Sequence, residues 1–560
     1  MTDDVAARAA DQATGAPSHP WWQEAVFYQI YPRSFADGDG DGVGDLTGLR
    51  SRLPYLADLG VDALWLSPFY RSPMADFGYD VSDYCDVDPL FGTLEDFDRL
   101  VEDVHAAGLR IIIDWVPNHT SSAHPWFVDA RSGRTSAHRT WYVWRDPAAG
   151  GGPPNNWRAA FDPAAPAWTF DEASGQWYLH LFEPSQPDLN WDEPAVRKAM
   201  AGVLRFWLDR GVDGFRADVV HCIGKDPALP DNPLEIESLP HCVVNDVPVT
   251  HQRIRELRAL LGTYPGDRMM VGEVYLLSAA QVATYYGDGN ELHLAFNFSP
   301  LYALWQADTW RQQVEEVDRE LVPRGAWPTW VLSNHDNRRH RTRYDVGASW
   351  AGEDDATRER RSERRARAAA VLLLGLRGTP FLYQGEELGL TDIDVPEARR
   401  VDPGGRDGCR APLPWDATPD HGWPVTAGGE PWLPLPADAT ERNAASQQDD
   451  AGSILHLYRR LLAARHGSPA LRRGDQRLLD MPDGVLGFAR TAATDGADRA
   501  DHRVVLVNFT DDDHDIDPTS LSGTTMAWRV DVASDGEGEG RQWPGRLSPD
   551  QAVVLSPAGP

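Results

Sequence analysis

From residue 26 onward, short unbroken apolar runs alternate with longer stretches whose apolar residues recur at helical spacing. The runs are VFYQIYP (26–32), ALWLSP (63–68), RIIIDWV (110–116), VDGFRAD (212–218), MMVGEVY (269–275), LHLAFNF (292–298), WVLSNHD (330–336) and TPFLYQG (379–385). Continuous apolar strands separated by helices are parallel and buried on both faces. Eight such units predict an α/β fold, a closed (β/α)8 TIM barrel. The polar exceptions gather at the C-terminal ends of the runs: Asp114, Asp218, Glu273, His335 and Asp336. That is the end of such a barrel that carries the active site.

Two segments break the rhythm. Residues 119–193, after the third strand, are rich in Trp, Pro and Gly and too long for a simple connection. They predict an inserted subdomain beside the mouth of the barrel. A second long stretch, about 222–250, predicts an ordered loop on the same face. Beyond 468, GVLGFAR, RVVLVNFT and MAWRVDVA alternate apolar and polar positions between turn residues, the pattern of a small antiparallel β-domain. The expected organisation is a disordered N-terminus (1–20), a barrel (21–118 and 194–467), inserted subdomain B (119–193) and a C-terminal antiparallel β-domain (468–560).

The length of 560 residues agrees with more than one core. A net charge of −32 repels nucleic-acid phosphates and anionic membranes alike, so neither is an expected partner. The N-terminus has neither the basic nor the apolar region of a signal peptide, and no apolar run reaches the ~18 residues of a membrane helix. Four cysteines, Cys85, Cys222, Cys242 and Cys409, form neither a disulfide framework nor a zinc spacing. Cys222 and Cys242 lie in one long segment and are expected as reduced thiols. A cytoplasmic monomer or homodimer is expected, with no organic cofactor.

Candidate chemistry starts from DGFRADVVH (213–221). Residues two apart on a strand share a side, so Arg216 and Asp218 face one space. A buried charge pair is a costly way to gain stability, which makes a reactive site the better reading. Three carboxylates at three strand ends, with arginine and histidine beside them, suit a bond that needs both an acid and a nucleophile. Glycoside cleavage has that requirement. Separately, Asp37, Asp39, Asp41 and Asp45 alternate with glycines in DGDGDGVGD (37–45). A tight turn of this kind offers several hard oxygens to Ca2+ or Mg2+. It resembles the start of an EF-hand, although Gly48 stands where the twelfth-position glutamate would be.

The ordered set DWVPNH (114–119), GFRADVVH (214–221), GEVY (272–275) and SNHD (333–336) resembles the α-amylase superfamily, glycoside hydrolase family 13. QPDLN (186–190) and GRDGCRAPLPW (405–415) resemble its α-glucosidase and oligo-1,6-glucosidase branch. The resemblance spans residue 21 to about 420. It implies Asp218 as nucleophile, Glu273 as acid/base and Asp336 as a third carboxylate gripping sugar hydroxyls. Arg216 would orient Asp218, while His119 and His335 would hydrogen-bond the sugar and Asp114 would act as an orienting residue. In ADFGYD (75–80), Tyr79 would stack on the ring and Asp76 bind its far hydroxyls. Arg406 would pair with Asp76 and close the pocket, with Arg410 the rival for that place because RDGCRAPLPW departs from the family's usual RDNARTPMQW. In the acidic loop the resemblance adds the Val43 carbonyl to Asp37, Asp39, Asp41 and Asp45 as ligands of a structural cation.

The implied activity is an exo-acting retaining α-glucosidase on short oligosaccharides or glucosides. Val219 after the nucleophile, together with QPDLN, leans towards α-1,6 linkages, with α-1,4 also open. His221 and Lys225 are candidate contacts on the leaving-group side. The alternatives are a transglucosidase or a sucrose or maltose isomerase sharing the same intermediate, and a non-catalytic relative of the transporter heavy-chain type.

Overall fold

A computed structural model describes residues 19–233, 246–345, 354–426, 429–494, 500–522 and 526–558. The eight apolar runs form eight strands: β1 Phe27–Ile30, β2 Ala63–Leu66, β3 Arg110–Trp115, β4 Gly214–Ala217, β5 Met269–Gly272, β6 Leu294–Ala295, β7 Thr329–Val331 and β8 Thr379–Tyr383. They pair in parallel in the order β6-β5-β4-β3-β2-β1-β8-β7. Chain order is therefore spatial order around a TIM barrel.

Alternate residues of each strand serve two cores, as the period of two requires. Ala63 and Trp65 of β2 point inward with Phe27, Ile112, Met269, Val271 and Phe381. Leu64 and Leu66 point outward to the helices. The helix Leu94–Ala106 shows how those helices are specified. Thr93 and Asp96 form a capping box at its start, and Phe97, Leu100, Val101 and Val104 make its buried face. β4 and β5 approach closely at Gly214, where a Cβ would stand 2.3 Å from the Met269 carbonyl oxygen.

The run 292–298 contributes only two residues to the ladder, a shorter strand than the sequence implies. Between β6 and β7, side chains replace backbone pairing. The Thr329 hydroxyl donates to Ala295 O (2.9 Å) and accepts from Asn297 N (3.1 Å). The Tyr286 hydroxyl donates to Trp327 O (2.8 Å) and accepts from Ala295 N (3.1 Å). Buried backbone groups need partners, and two hydroxyls supply them at this seam.

After β3 the insertion forms a three-stranded antiparallel sheet, Trp144–Arg145, Gln176–Leu179 and Trp168–Asp171 in spatial order. Its small core of Val143, Trp157, Trp168, Leu179 and Phe182 also takes in Val219 and Cys222 from the loop after β4. Trp157 Nε1 and Asn155 Nδ2 donate to Pro230 O (2.8 Å) and Leu229 O (3.1 Å) of that same loop. The insertion is thus locked to the segment that follows the expected nucleophile. The C-terminal strands Asp475–Leu478, Val485–Ala492, Asp501–Asn508, Ala552–Pro557 and Trp528–Ala533 build a five-stranded antiparallel sheet in that order.

The expected disorder at 1–20 and the expected ordered loop at 222–250 fall partly outside the described residues, as does Cys242. Cys85 and Cys409 are free thiols. Among the described residues no helix is long and apolar enough to cross a membrane.

Candidate active site

Arg216 leaves β4 fully buried and meets three carboxylates. Its Nη1 donates to Asp114 Oδ1 (2.6 Å) and Asp218 Oδ1 (2.5 Å), and its Nη2 to Glu273 Oε2 (2.6 Å). The register explains the meeting: Asp114 of β3 lies beside Arg216, and Glu273 follows the end of β5. Asp218 and Glu273 are also within hydrogen-bonding reach of each other. Burial raises the Asp218 carboxyl well above the ordinary range; Glu273 and Asp114 push it further up and Arg216 opposes them. Burial likewise raises Asp114 to about 6 against the pull of Arg216 and of Trp65 Nε1, which donates to Asp114 Oδ2 (3.0 Å). Such groups exchange protons as a set.

Val219, next in the chain, has φ 35° and ψ 42°, the left-handed region that a β-branched residue rarely enters. That turn aims its N–H at Glu273 Oε2 (3.1 Å). Strain of this kind persists only where the surroundings over-determine it, and the shared core with the insertion does so here.

A second knot closes the opposite side. Arg406 Nη2 donates to Asp76 Oδ1 (2.6 Å) and Nη1 to Asp336 Oδ1 (2.9 Å). Arg410 Nη2 reaches the same Asp336 oxygen (3.0 Å), and its Nε donates to His335 O (2.7 Å). Arg406 therefore spans Asp76 and Asp336, and Arg410 backs Asp336 from within the protein. Asp402 braces both, with Oδ1 at 2.6 Å from Arg406 Nη2 and 3.2 Å from Arg410 Nη1. Burial works to raise the Asp336 carboxyl, but the guanidiniums of Arg406 and Arg410 outweigh it and hold it well below its usual value.

His335 is buried and neutral, its pKa pushed down to about 3 chiefly by desolvation. It lies nearly parallel to the Tyr79 ring (5.4 Å between centroids, 7°), with Nε2 2.6 Å from the Tyr79 hydroxyl. His119 is also lowered by burial. Gln186 Nε2 joins His119 to Asp76, at 3.2 Å from His119 Nε2 and 2.9 Å from Asp76 Oδ2.

Asp76, Tyr79, His119, Asp218, Glu273, Asp336 and Arg406 all line one cavity of about 230 Å3. It is small for a drug-sized site and suits a single sugar ring. Phe161 and Phe182 from the insertion, with Tyr275, Phe298 and Tyr302, add an aromatic wall, and Val219, Asn334, Asn337 and Gly404 complete the lining. Arg216 and His335 stand behind the lining. His221 and Lys225, which the sequence offered as leaving-group contacts, are not among the lining residues. Lys225 Nζ donates instead to Asn118 Oδ1 (2.7 Å) and to Cys222 O, and lies 2.9 Å from Asp188 Oδ2. His221 is buried with Nδ1 3.3 Å from Glu273 O.

In the acidic loop, carboxylate oxygens of Asp37, Asp39 and Asp45 lie within 4.8 Å of one another. Asp41 stands outside that group and accepts from Val43 N (2.8 Å). Gly40 and Gly42 adopt φ 87° and 89°, which lets Asp37 collect both of their N–H groups (2.7 and 2.9 Å). Burial, relieved in part by backbone hydrogen bonds, raises the Asp41 and Asp45 carboxyls, and the neighbouring aspartates add to it. This donor set of hard anionic oxygens fits a divalent cation.

Gln186, Asp402 and the aromatic wall received no role from the sequence. QPDLN marked Gln186 as part of a motif but not as a link between Asp76 and His119. Asp402 and Phe161 carry no local signal at all.

The chain belongs to the α-amylase family, whose catalytic-domain model matches residues 29–474. Within that family it is a glycoside hydrolase. It is 42% identical over 504 residues to a probable alpha-glucosidase of Rhizobium meliloti (strain 1021), covering 85% of this chain and 88% of that protein. It is 35% identical over 536 residues to an oligo-1,6-glucosidase of Parageobacillus thermoglucosidasius, covering 88% and 91%. Among solved structures, the alpha-glucosyl transfer enzyme XgtA superposes with a TM-score of 0.84 at 39% identity, covering 97% of this chain and 100% of that one.

Proposed function

We propose that the protein is an exo-acting retaining α-glucosidase that cleaves terminal α-glucosidic bonds of short oligosaccharides or glucosides. One observation carries the reading: a single guanidinium holds the Asp218 and Glu273 carboxylates on its two amino groups, at 2.5 and 2.6 Å. Carboxyls so close leave no room for the water that an inverting enzyme places between them. Asp218 attacks the anomeric carbon while Glu273 gives its proton to the departing oxygen. The resulting β-glucosyl ester is then opened by a water that Glu273 deprotonates, and α-glucose is released. Asp336, kept ionised by Arg406 and Arg410, grips the sugar hydroxyls more strongly as positive charge grows on the ring. Tyr79 stacks on that ring, with His119 and His335 in support. Arg406 and Asp76 bar the far end, which confines the action to non-reducing termini.

Val219 and the likeness to an oligo-1,6-glucosidase favour α-1,6 linkages, with α-1,4 as a second activity. Asp37, Asp39 and Asp45, with Asp41 and Val43 beside them, would hold a structural Ca2+ or Mg2+ remote from the reacting bond. We also propose a cytoplasmic monomer or homodimer, with the barrel, insertion and C-terminal domain divided as the sequence indicates.

A second reading, a transglucosidase or sugar isomerase, has support from the wall of Tyr275, Phe298 and Tyr302, which offers an acceptor more ring surface than open water channel. The likeness to an α-glucosyl transfer enzyme points the same way. One experiment separates the two: maltose, isomaltose, sucrose, trehalose and p-nitrophenyl α-glucoside are each incubated with the protein and with Asp218→Asn, and products are followed by NMR. α-Glucose appearing first, and only with the native protein, supports the hydrolase. New disaccharides with little free glucose support the transferase, and β-glucose appearing first overturns retention.

A further inference from the structure

The turn that carries Asp76 is strained. Met74 has φ 63° and Phe77 φ 47°, with Gly78 at 110°. Two consecutive left-handed residues follow Asp76, and the first is an aromatic that pays for the conformation. From inside, Asp80 ties the turn: its Oδ1 accepts from Asp76 N (2.9 Å) and the Ser72 hydroxyl (2.8 Å), its Oδ2 from Ala75 N (3.0 Å). These bonds fix the backbone around Asp76, but none reaches Phe77 or Gly78.

From outside, the Phe77 ring meets an arginine that the reaction does not use. Arg33 follows β1, is 6% exposed, and sets its guanidinium 4.9 Å from the Phe77 centroid and 4.7 Å from that of Trp432, with Phe91 at 5.9 Å. Phe77 and Trp432 also touch directly, 5.5 Å apart. Among the described residues no carboxylate lies within ion-pair distance of this guanidinium, and its Nε has no hydrogen-bond partner. A buried cation without an ion-pair partner is costly; Asp88 and Asp41 attract this one only from beyond ion-pair distance, and the close contacts of its guanidinium are aromatic faces. Trp432 is itself pinned by N–H bonds from its indole to Ser34 Oγ (3.0 Å) and from its backbone to Gly42 O. The guanidinium therefore sits between one fixed ring and one ring mounted on a strained turn.

We propose that Arg33, with Trp432, is a positioning residue for Asp76: it clamps Phe77 and so holds the Asp76 carboxylate on Arg406 and at the far end of the glucose pocket. This inference rests on the reading of Asp76 as the grip on the terminal glucose. Arg33 touches neither substrate nor reacting atoms, so its loss weakens binding of the glucose unit and leaves the acid, base and nucleophile in place.

The test uses the full-length Arg33→Met and Arg33→Lys proteins with p-nitrophenyl α-glucoside, and 1-deoxynojirimycin as a competitive ligand confined to the glucose pocket. Arg33→Met is expected to raise KM and the inhibitor's dissociation constant together by about tenfold, with kcat within about threefold of native. Arg33→Lys keeps a cation over the rings and recovers part of that loss, which a purely steric role would not predict. If Arg33→Met does not fold, Phe77→Leu removes the same contact from the half-buried side and is expected to give the same split. A folded Arg33→Met or Phe77→Leu protein with unchanged KM and inhibitor affinity overturns the proposal, as does an equal fall in kcat. Absence of turnover by the native protein would instead overturn the glucosidase reading.

Discussion

Arg216 faces three carboxylates, and one positive charge cannot balance all of them in a buried space. The set must keep a proton, and the proposed reaction needs that proton on Glu273 with Asp218 ionised. Burial and its acidic neighbours raise Asp218, so kcat/KM is expected to fall as pH drops through this raised value, well above the pH at which a solvated aspartate protonates. Asp114→Asn removes one neighbouring negative charge, so the acid limb of the pH profile should move to lower pH. A limb that stays in place would show that Asp114 does not act on Asp218 through charge. Asp218→Asn removes the proposed nucleophile, and kcat should fall by about 10^4-fold or more while far-UV circular dichroism stays native. At this scale the sequence was readable wherever a motif placed a charged residue at a strand end, as with Arg216, Asp218, Glu273 and Asp336. It was silent on Asp402, which braces two arginines from a loop with no pattern of its own. It offered Lys225 as a contact, where the structure shows the amine donating to Asn118 Oδ1 and Cys222 O and paired with Asp188.

That lysine belongs to the scale of elements. Asn118 follows β3, Asp188 closes the insertion and Cys222 follows β4, and the Lys225 amine joins all three. Lys225→Met would leave Asp188 buried without its counter-charge, a loss of about 3–5 kcal/mol that denaturant unfolding should register as a lower midpoint. A midpoint unchanged from native would mean that the three segments hold each other without it. The strands were legible because apolar runs with a polar end are what a barrel strand must look like. The exception is β6, where a seven-residue run keeps two residues in the ladder. Hydrophobicity reports burial, not which groups close the hydrogen bonds, and the hydroxyls of Thr329 and Tyr286 that do so look like any others in the sequence.

Over the whole molecule, the order of barrel, insertion and terminal sheet could be read from length and rhythm, whereas the sharing of one small core between the insertion and the β4 loop could not, since it joins residues about sixty apart. Long-range consequences also attach to the acidic loop. Its Asp41 and Asp45 carboxyls are raised, so without a cation they favour the protonated loop, and stability declines as pH rises from about 4 through those values. Millimolar Ca2+ or Mg2+ should reverse that trend, raising Tm at pH 7 by the equivalent of about 2.7 kcal/mol at a hundredfold excess over Kd. The gain should fade as pH falls through those raised values, and Asp37→Ala should abolish it; a Tm indifferent to both cation and chelator would dismiss the site. The bar formed by Arg406 and Asp76 (2.6 Å) reaches further still. On the proposed reading it would turn the pocket into a cul-de-sac, so the water that frees the glucosyl ester would enter where the leaving group has just gone out. Every hydroxyl-bearing molecule in solution would queue at that same doorway. In dilute sugar, water would win and the saccharide would be degraded; in a syrup, the next sugar would arrive first and the same residues would assemble longer saccharides. The direction of traffic would then be set by how crowded the solvent is, without any change in the catalyst.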